Sequence, residues 1–247
     1  MTLKGKTAIV TGGGRDIGRA CVMRLAQEGA SVAINYHSSS AGADSAVEEI
    51  KAMGGSAFAM QGDLTNEADV TALVDRAASE LGGVDILVNN AGGLVARKRI
   101  EEMDLAHWNT VMDLNLTSIF LMVKASLAHM TSGAIINIAS QAGRDGGGPG
   151  AVVYATSKGA VMTMTRGLAK ELGPDIRVNG ICPGMIDTDF HNVFTKDEVR
   201  KNVANATPLK REGAPMDVAN LVTYLASDQS AFITGTNMDI NGGLVFS

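Results

Sequence analysis

The sequence predicts an α/β fold, a doubly wound parallel sheet of about seven strands with helices on both faces. Three observations carry this reading. Short apolar runs alternate with amphipathic stretches from end to end. The runs are continuously apolar, as strands covered on both faces require. A Gly-rich turn, residues 11–18, stands at the first strand-to-helix junction. At 247 residues the chain suits one such domain, 1–247, because folds of this class grow past the usual domain size without splitting.

The elements follow in order. Residues 7–11 (TAIVT) read as a buried strand, and 17–28 as a helix stopped by Gly29. A second strand, 31–35, precedes a helix near 43–53 that ends at Gly54-Gly55. A short strand at 57–61 precedes a helix at 67–81 closed by Gly82-Gly83. Strand four is 85–89. Helical periodicity then runs over 105–130, read as two helices, and strand five is 134–139. A helix at 154–172 meets Gly173-Pro174 as its stop. Strand six is 177–181, the last long helix 217–226, and the final strand 237–240. Right-handed crossovers place every strand C-terminus at one edge, where ligands bind. Residues 186–213 lie beyond strand six on that edge, lack a strand, and contain Phe190, His191 and Phe194. They suit a substrate lid.

Composition narrows the function classes. Hydrophobic residues at 45% and charged residues at 19% fit a soluble protein with a sizeable core. The net charge of -5 argues against a nucleic-acid surface, which needs clustered Lys and Arg. Arg97-Lys98-Arg99 is the densest basic group and reads as a solvated loop, with an anion site as the alternative. Cys21 and Cys182 read as buried, reduced thiols. No signal peptide stands at the N-terminus, and no apolar run reaches the ~18 residues of a membrane span. A cytoplasmic protein with no membrane partner is expected. His37, His107, His129 and His191 form no metal-ligand cluster, and most read as solvated.

Thr11-Gly12-Gly13-Gly14-Arg15-Asp16-Ile17-Gly18 has the makings of a pyrophosphate cradle. Glycine permits positive φ and close approach to the peptide plane, and the helix start offers free N–H groups and a positive dipole end. Asp16 is the discordant residue, since a carboxylate beside a pyrophosphate repels it by roughly 1 kcal/mol in water-like surroundings. The favoured reading is that Asp16 turns away and caps the helix, with Arg15 and Arg19 screening it, and that dinucleotide affinity is weakened but not abolished.

This loop resembles the T-G-x-x-x-G-x-G of the classical short-chain dehydrogenase/reductase family, a Rossmann fold, with Gly12 and Gly18 matching and Asp16 replacing the middle glycine. The resemblance extends over nearly the whole chain, to Thr234-Gly235-Thr236 and Asn241-Gly242-Gly243. Asn89-Asn90-Ala91-Gly92 matches the family's N-N-A-G, which implies that Asn90, Ala91 and Gly92 pack along the adenosine ribose side. Pro183-Gly184-Met185-Ile186-Asp187-Thr188 matches P-G-x-I-x-T, implying that Ile186 and Thr188 hold the carboxamide, beside Pro183 and Gly184. Gly14, Arg15 and Ile17 belong to the same implied cofactor set. Asp63, followed by Leu64, matches the position that contacts the adenine; its other reading is a cap for the helix starting near Glu67.

Cofactor preference turns on the end of strand two. An acid there would hydrogen-bond the ribose hydroxyls and reject a 2′-phosphate. Asn35-Tyr36-His37-Ser38-Ser39 contains no acid, and Arg15 is placed to pair with a phosphate. NADP(H) is favoured over NAD(H), with Tyr36 and His37 at the adenosine end.

Tyr154-Ala155-Thr156-Ser157-Lys158 is the most informative pentapeptide. Residues four apart on a helix share a face, and a nearby ammonium is expected to lower a phenol pKa from its usual ~10. With Ser140 at the end of strand five and Asn115 upstream, the pair resembles the family's complete catalytic tetrad. The resemblance implies that Ser140 binds the substrate oxygen and that Tyr154 moves the proton. It implies further that Lys158 binds the nicotinamide ribose and that Asn115 holds a relay water. Taken singly, Ser140 also reads as a strand-end cap and Asn115 as a helix-bending polar group.

The pattern is most similar to 3-oxoacyl-[acyl-carrier-protein] reductases, which implies an NADPH-dependent ketoreductase acting on a small-molecule carbonyl. Sugar or polyol dehydrogenases are the alternative, and a non-catalytic dinucleotide-sensing protein is the rival from another class. Carrier-protein docking needs basic residues near the mouth, and 127–132 offers only His129. Gly146–Gly150 suggests an open, mobile mouth. Arg144 and Asp145 there have two readings, contact with a polar substrate or with each other. The resemblance implies a homotetramer through the helices around Asn115 and Tyr154. Met112, Met122, Met162 and Met164 read as core or interface, and the apolar end Leu244-Val245-Phe246 is expected to be buried in the same assembly.

Overall fold

The computed structural model describes residues 2–246, so the outermost residue at each end of the predicted domain lies outside the described residues. Its strands are β1 (Thr7–Val10), β2 (Ser31–Tyr36), β3 (Ala57–Gln61), β4 (Ile86–Asn89), β5 (Gly133–Ile138), β6 (Ile176–Pro183) and β7 (Asn237–Ile240). They form one parallel sheet in the order β3-β2-β1-β4-β5-β6-β7. The chain builds outward from β1 to β3, then returns to lay β4 beside β1. That reversal creates the crevice where open α/β sheets bind ligands.

The helices are α1 (Asp16–Gln27), α2 (Ser40–Ala52), α3 (Glu67–Leu81), α4 (Leu105–Met112), α5 (Ser118–Ser126), α6 (Ala142–Asp145), α7 (Val152–Leu172), α8 (Asp189–Phe194), α9 (Asp197–Ala206) and α10 (Pro215–Ala226). Successive strand residues face opposite sides of a sheet. Ala8, Val10, Val32 and Ile34 accordingly pack with Leu25 of α1, Ile50 of α2 and Val222 of α10. Ile9, Ala33, Leu87 and Ile135 pack on the other side with Leu73 of α3, Met122 of α5 and Val161 of α7. Burial on both faces explains why the strands read as unbroken apolar runs.

The region 105–130 departs from the expected pair of helices. α4 passes into α5 through a π-helical turn, Asp113–Thr117, and the joining residues Met112, Asp113, Thr117 and Ser118 all keep right-handed helical backbone. Asn115 drives the local widening. Its amide donates to the Val111 carbonyl at 2.8 Å and to the Gly93 carbonyl at 2.8 Å, so a side chain competes for helical acceptors.

α3 has the boundaries its sequence signals predict, but its cap differs. Asn66, not Asp63, accepts the first-turn N–H groups, from Ala68 at 2.9 Å and Asp69 at 3.4 Å. Asp63 is too far upstream and instead binds the N–H and hydroxyl of Thr65 at 2.9 and 2.7 Å. α6, α8 and α9 escape the sequence reading because they are short or carry few apolar residues. α8 and α9 fill the strandless stretch 186–213, whose base is closed by a parallel bridge between Ile186 and Gly213. No helix among the described residues is long and apolar enough to cross a membrane.

Asn66→Ala removes the only side-chain acceptor at the α3 start and is expected to cost about 1 kcal/mol. Urea denaturation measures this; Asn66→Asp retains the acceptor, and equal midpoints for all three proteins would refute the assignment.

Candidate active site

The loop between β1 and α1 is held from three sides. The Thr11 hydroxyl donates to the Val88 carbonyl at 3.3 Å and accepts the N–H groups of Asn90 at 2.9 Å and Ala91 at 3.0 Å. Asn90 returns its amide to the carbonyls of Thr11 at 2.9 Å and Gly12 at 3.2 Å. Asn35 accepts the Gly12 N–H at 3.3 Å and donates to Gly62 at 3.2 Å. The anchoring by Thr11 and Asn35 was not foreseen from sequence; its only signal is an uncharged polar side chain closing an apolar strand.

Glycine is required where the loop meets the helix. Gly12 has φ +62°, and a Cβ on Gly18 would strike the Gly12 carbonyl oxygen. Gly14 faces Ser39, where a Cβ would collide with the hydroxyl. The side chain of Ile17 joins the core beside α1. Arg15 occupies the N-cap position of α1 without a side-chain cap bond, so the first-turn N–H groups are left for an anion.

Asp16 does not cap α1, contrary to the sequence expectation. At φ +51° its side chain leaves the loop, and Oδ1 accepts the backbone N–H of Asp189 at 3.2 Å. Burial raises its pKa, with the Asp189 N–H opposing and the Asp189 carboxylate adding to the rise. Arg15 lies 3.9 Å from Asp16 and 3.6 Å from Asp189. The screening role expected of Arg19 fails, because its guanidinium is spent on Glu49 at 2.6 Å.

At the C-terminal end of β2, Tyr36 is half-buried and its carbonyl accepts the Gly62 N–H at 3.0 Å. His37 is exposed, and its carbonyl accepts from Gln61 at 2.9 Å. The Asp63 carboxyl is held below its usual range, chiefly by the Thr65 N–H. Leu64 places its side chain in the core.

Tyr154 and Lys158 share one face of α7 beneath the C-terminal edge of the sheet. Lys158 is 3% exposed, and Nζ donates to the Ile138 carbonyl at 2.8 Å. It lies 5.8 Å from the centroid of the Tyr154 ring. Burial pushes the ammonium from 10.5 down to about 8. The expected lowering of the phenol pKa is not found. Burial raises it, and hydrogen bonding with the Ser140 hydroxyl only partly opposes the rise. In this site loss of hydration outweighs the distant ammonium.

Ser140 Oγ also accepts the Ala142 N–H at 3.1 Å, so its strand-end capping role holds beside the contact with Tyr154. Asn115 is buried and accepts the Gly93 N–H at 3.0 Å as well as bending its helix. A Cβ on Gly92 would lie 2.6 Å from Asn115 Oδ1 and 3.2 Å from Lys158 Nζ. The two groups therefore converge on one glycine, and any larger residue would fill the cradle above the ammonium.

Beyond β6, Gly184 donates to the Ile240 carbonyl at 3.0 Å, and Pro183 accepts from the Gln141 N–H at 2.9 Å. The Thr188 hydroxyl turns back to the Ile186 carbonyl at 3.1 Å. α8 follows and brings Phe190 over Tyr154, ring centroids 5.8 Å apart, with Phe194 behind it at 5.2 Å. The wall facing the phenol is aromatic.

Some expectations around the mouth hold and others are corrected. Arg97 is an exposed loop residue, as expected, and it also donates to the carbonyls of Phe194 at 3.0 Å and Pro149 at 2.9 Å, tying α8 to the Gly-rich segment. Arg144 and Asp145 do not pair with each other. Arg144 pairs with Asp239 at 2.6 Å, and Asp145 accepts from Gln141 and the Gly147 N–H at 2.9 and 2.8 Å. His107 is buried and His191 half-buried, the latter against the Phe190 ring with Thr195 on its Nδ1, whereas His37 and His129 are exposed. His129 is paired with Asp75 at 2.8 Å.

Gly-rich loop, uncapped helix start and glycine cradle together fit a dinucleotide. The family model described as enoyl-(acyl carrier protein) reductase matches residues 12–245. The chain belongs to the short-chain dehydrogenase/reductase family, oxidoreductases that use NAD(P) to interconvert alcohols and carbonyls. It is 38% identical over 243 residues to the 3-oxoacyl-[acyl-carrier-protein] reductase FabG of Staphylococcus aureus, covering 97% of this chain and 98% of that one. It is also 38% identical over 250 residues to glucose 1-dehydrogenase 2 of Bacillus subtilis, covering 98% and 95%. Among solved structures, a blue fluorescent protein from a metagenomic library, in complex with NADPH, aligns over 100% of both chains at 38% identity with a TM-score of 0.93.

The buried lysine makes a signed prediction. Between about 8 and 10.5 the unfolded chain holds a proton on Lys158 that the folded chain has released. Its contribution to stability therefore rises with pH across that window. In cofactor-free protein, the stability gap between wild type and Lys158→Met should shift toward wild type from pH 8 to 10. A gap independent of pH in denaturant titrations would contradict it.

Proposed function

We propose that the chain is an NADPH-dependent ketoreductase of the 3-oxoacyl type, acting on apolar ketones with Tyr154 as proton donor. The observation that carries this reading is the meeting of the Ser140 and Tyr154 hydroxyls above a buried Lys158. Two hydroxyls at one point are what a carbonyl oxygen needs as it gains negative charge. The cofactor, when bound, supplies hydride to the carbonyl carbon. Ser140 donates a hydrogen bond to the oxygen and fixes its position. Tyr154 keeps its proton at neutral pH because burial raises its pKa, and surrenders it to the developing alkoxide. The ammonium of Lys158 then favours the phenolate left behind, and Asn115 holds the Gly92–Gly93 turn over that ammonium.

An aromatic wall of Phe190 and Phe194 supports an apolar ketone over a sugar or polyol, whose hydroxyls need polar partners. The absence of an acid among residues 35–39 supports NADP(H) over NAD(H). Engagement of His129 by Asp75 leaves a carrier protein without a basic dock, so a free or thioester-linked ketone is the favoured form. The rival of a dinucleotide sensor has no support from the tetrad, which is complete.

A homotetramer is part of the same reading. Leu105, Phe120, Leu127 and Val152 on or beside α4, α5 and α7 are 72%, 49%, 38% and 47% exposed, and Phe246 is 86% exposed. Such apolar surface favours association. Light scattering at micromolar concentration should return four times the chain mass; a monomer would refute this part.

Tyr154→Phe is expected to lower kcat for ketone reduction by 10²- to 10⁴-fold, roughly the share of a general acid, while NADPH still binds by fluorescence titration. Turnover equal to wild type would overturn the assignment.

A further inference from the structure

The phosphate loop contains a residue that serves the loop poorly. Asp16 adopts φ +51°, a conformation that suits glycine and strains a residue with a side chain. Its negative charge also sits beside the uncapped start of α1, where an anion is to bind. Neither cost is recovered within the loop. The carboxylate instead reaches across to the lid and accepts the Asp189 N–H at 3.2 Å, with Arg15 set between the two acids.

Asp189 is the first residue of α8, and the next residue is Phe190, whose ring faces Tyr154. The far end of α8 is held separately by Arg97 on the Phe194 carbonyl. Arg200 braces the middle, donating to Asn192, Asp187 and Glu212 at 2.6 Å each. Asp16 therefore restrains the end of the lid helix that carries the ring nearest the phenol.

We propose that Asp16 is a positioning residue for the substrate: it reaches out of the cofactor loop to seat Phe190 against Tyr154, and so sets selectivity for ketones with a large apolar substituent. This rests on the reading of Tyr154 as proton donor. The large substituent of the ketone packs against the Phe190 ring beside the phenol, and the Asp16 carboxylate fixes where that ring stands.

The test uses full-length Asp16→Gly, Asp16→Asn, Phe190→Ala and the Asp16→Gly/Phe190→Ala double variant, with NADPH and ketones of increasing apolar size. Glycine fits the left-handed backbone, so Asp16→Gly should fold at least as stably as wild type. At saturating NADPH it should raise KM for the large ketones about tenfold relative to KM for the smallest one, the scale of losing a hydrogen bond to a charged group, with a smaller fall in kcat; a change in cofactor affinity acts on all ketones alike and drops out of this ratio. Asp16→Asn keeps an oxygen acceptor and should restore KM to within about twofold. In the Phe190→Ala background Asp16→Gly should add nothing, because both act through one ring. Independently of turnover, the amides of residues 189–194 in cofactor-free Asp16→Gly should exchange hydrogen faster than in wild type, with the sheet unchanged.

A flat KM series together with unaltered exchange would overturn the proposal, as would additive effects of Asp16→Gly and Phe190→Ala. Failure of the underlying reading looks different: Tyr154→Phe would turn over normally while lid exchange still responded to Asp16.

Discussion

A sheet buried on both faces has one place left for polar chemistry, the edge where its strands end. Strand-to-strand hydrogen bonds satisfy the backbone of the inner strands β2, β1, β4, β5 and β6 on both sides, and side chains from two helical layers fill the space above and below. An ionisable group within that body would be costly unless paired. Every group assigned to the site accordingly sits just past a strand C-terminus or on a helix facing it. Gly12 follows β1, Asn90 follows β4, Ser140 follows β5 and Gly184 follows β6. The edge also explains why a strand-closing Thr11 and Asn35 matter: they are the last points at which the sheet can hold the loop.

Within this edge, burial acts on two groups of opposite charge type. It drives Lys158 toward its neutral amine and Tyr154 toward its neutral phenol. A phenol that keeps its proton is an acid, which suits reduction of a carbonyl. The ammonium is stabilised by the Ile138 carbonyl, and in the proposed reaction the ionised phenol becomes its anionic partner. Such an arrangement stabilises the charged pair late, at the stage where negative charge has to be accommodated.

The segment 186–213 is built from different forces. Its contacts are ion pairs and side-chain hydrogen bonds, with Arg200, Arg97 and Asp16 at three points, and only Phe190 and Phe194 supply large apolar surface near the site. Partly exposed polar contacts are individually weak. A segment held this way opens at lower cost than the sheet beneath it, as the proposed role in substrate entry requires.

Periodicity and local chemistry were enough to read the strand order's raw material, the phosphate loop and the Tyr154–Lys158 face from sequence, because each depends on residues near one another in the chain. Strands such as Ala57–Gln61 and Asn237–Ile240 and the helix Glu67–Leu81 coincide with their signals for that reason. What tertiary structure alone decided concerns partners far apart. The direction of the Tyr154 pKa depends on total burial, which no spacing encodes. The Asp16 carboxylate meets an N–H 173 positions away, so its sequence neighbours suggested a local cap that the fold does not use. Arg144 and His107 show the same limit: charge and polarity are legible locally, but whether a group meets water or another segment is fixed only when distant chain stretches are brought together.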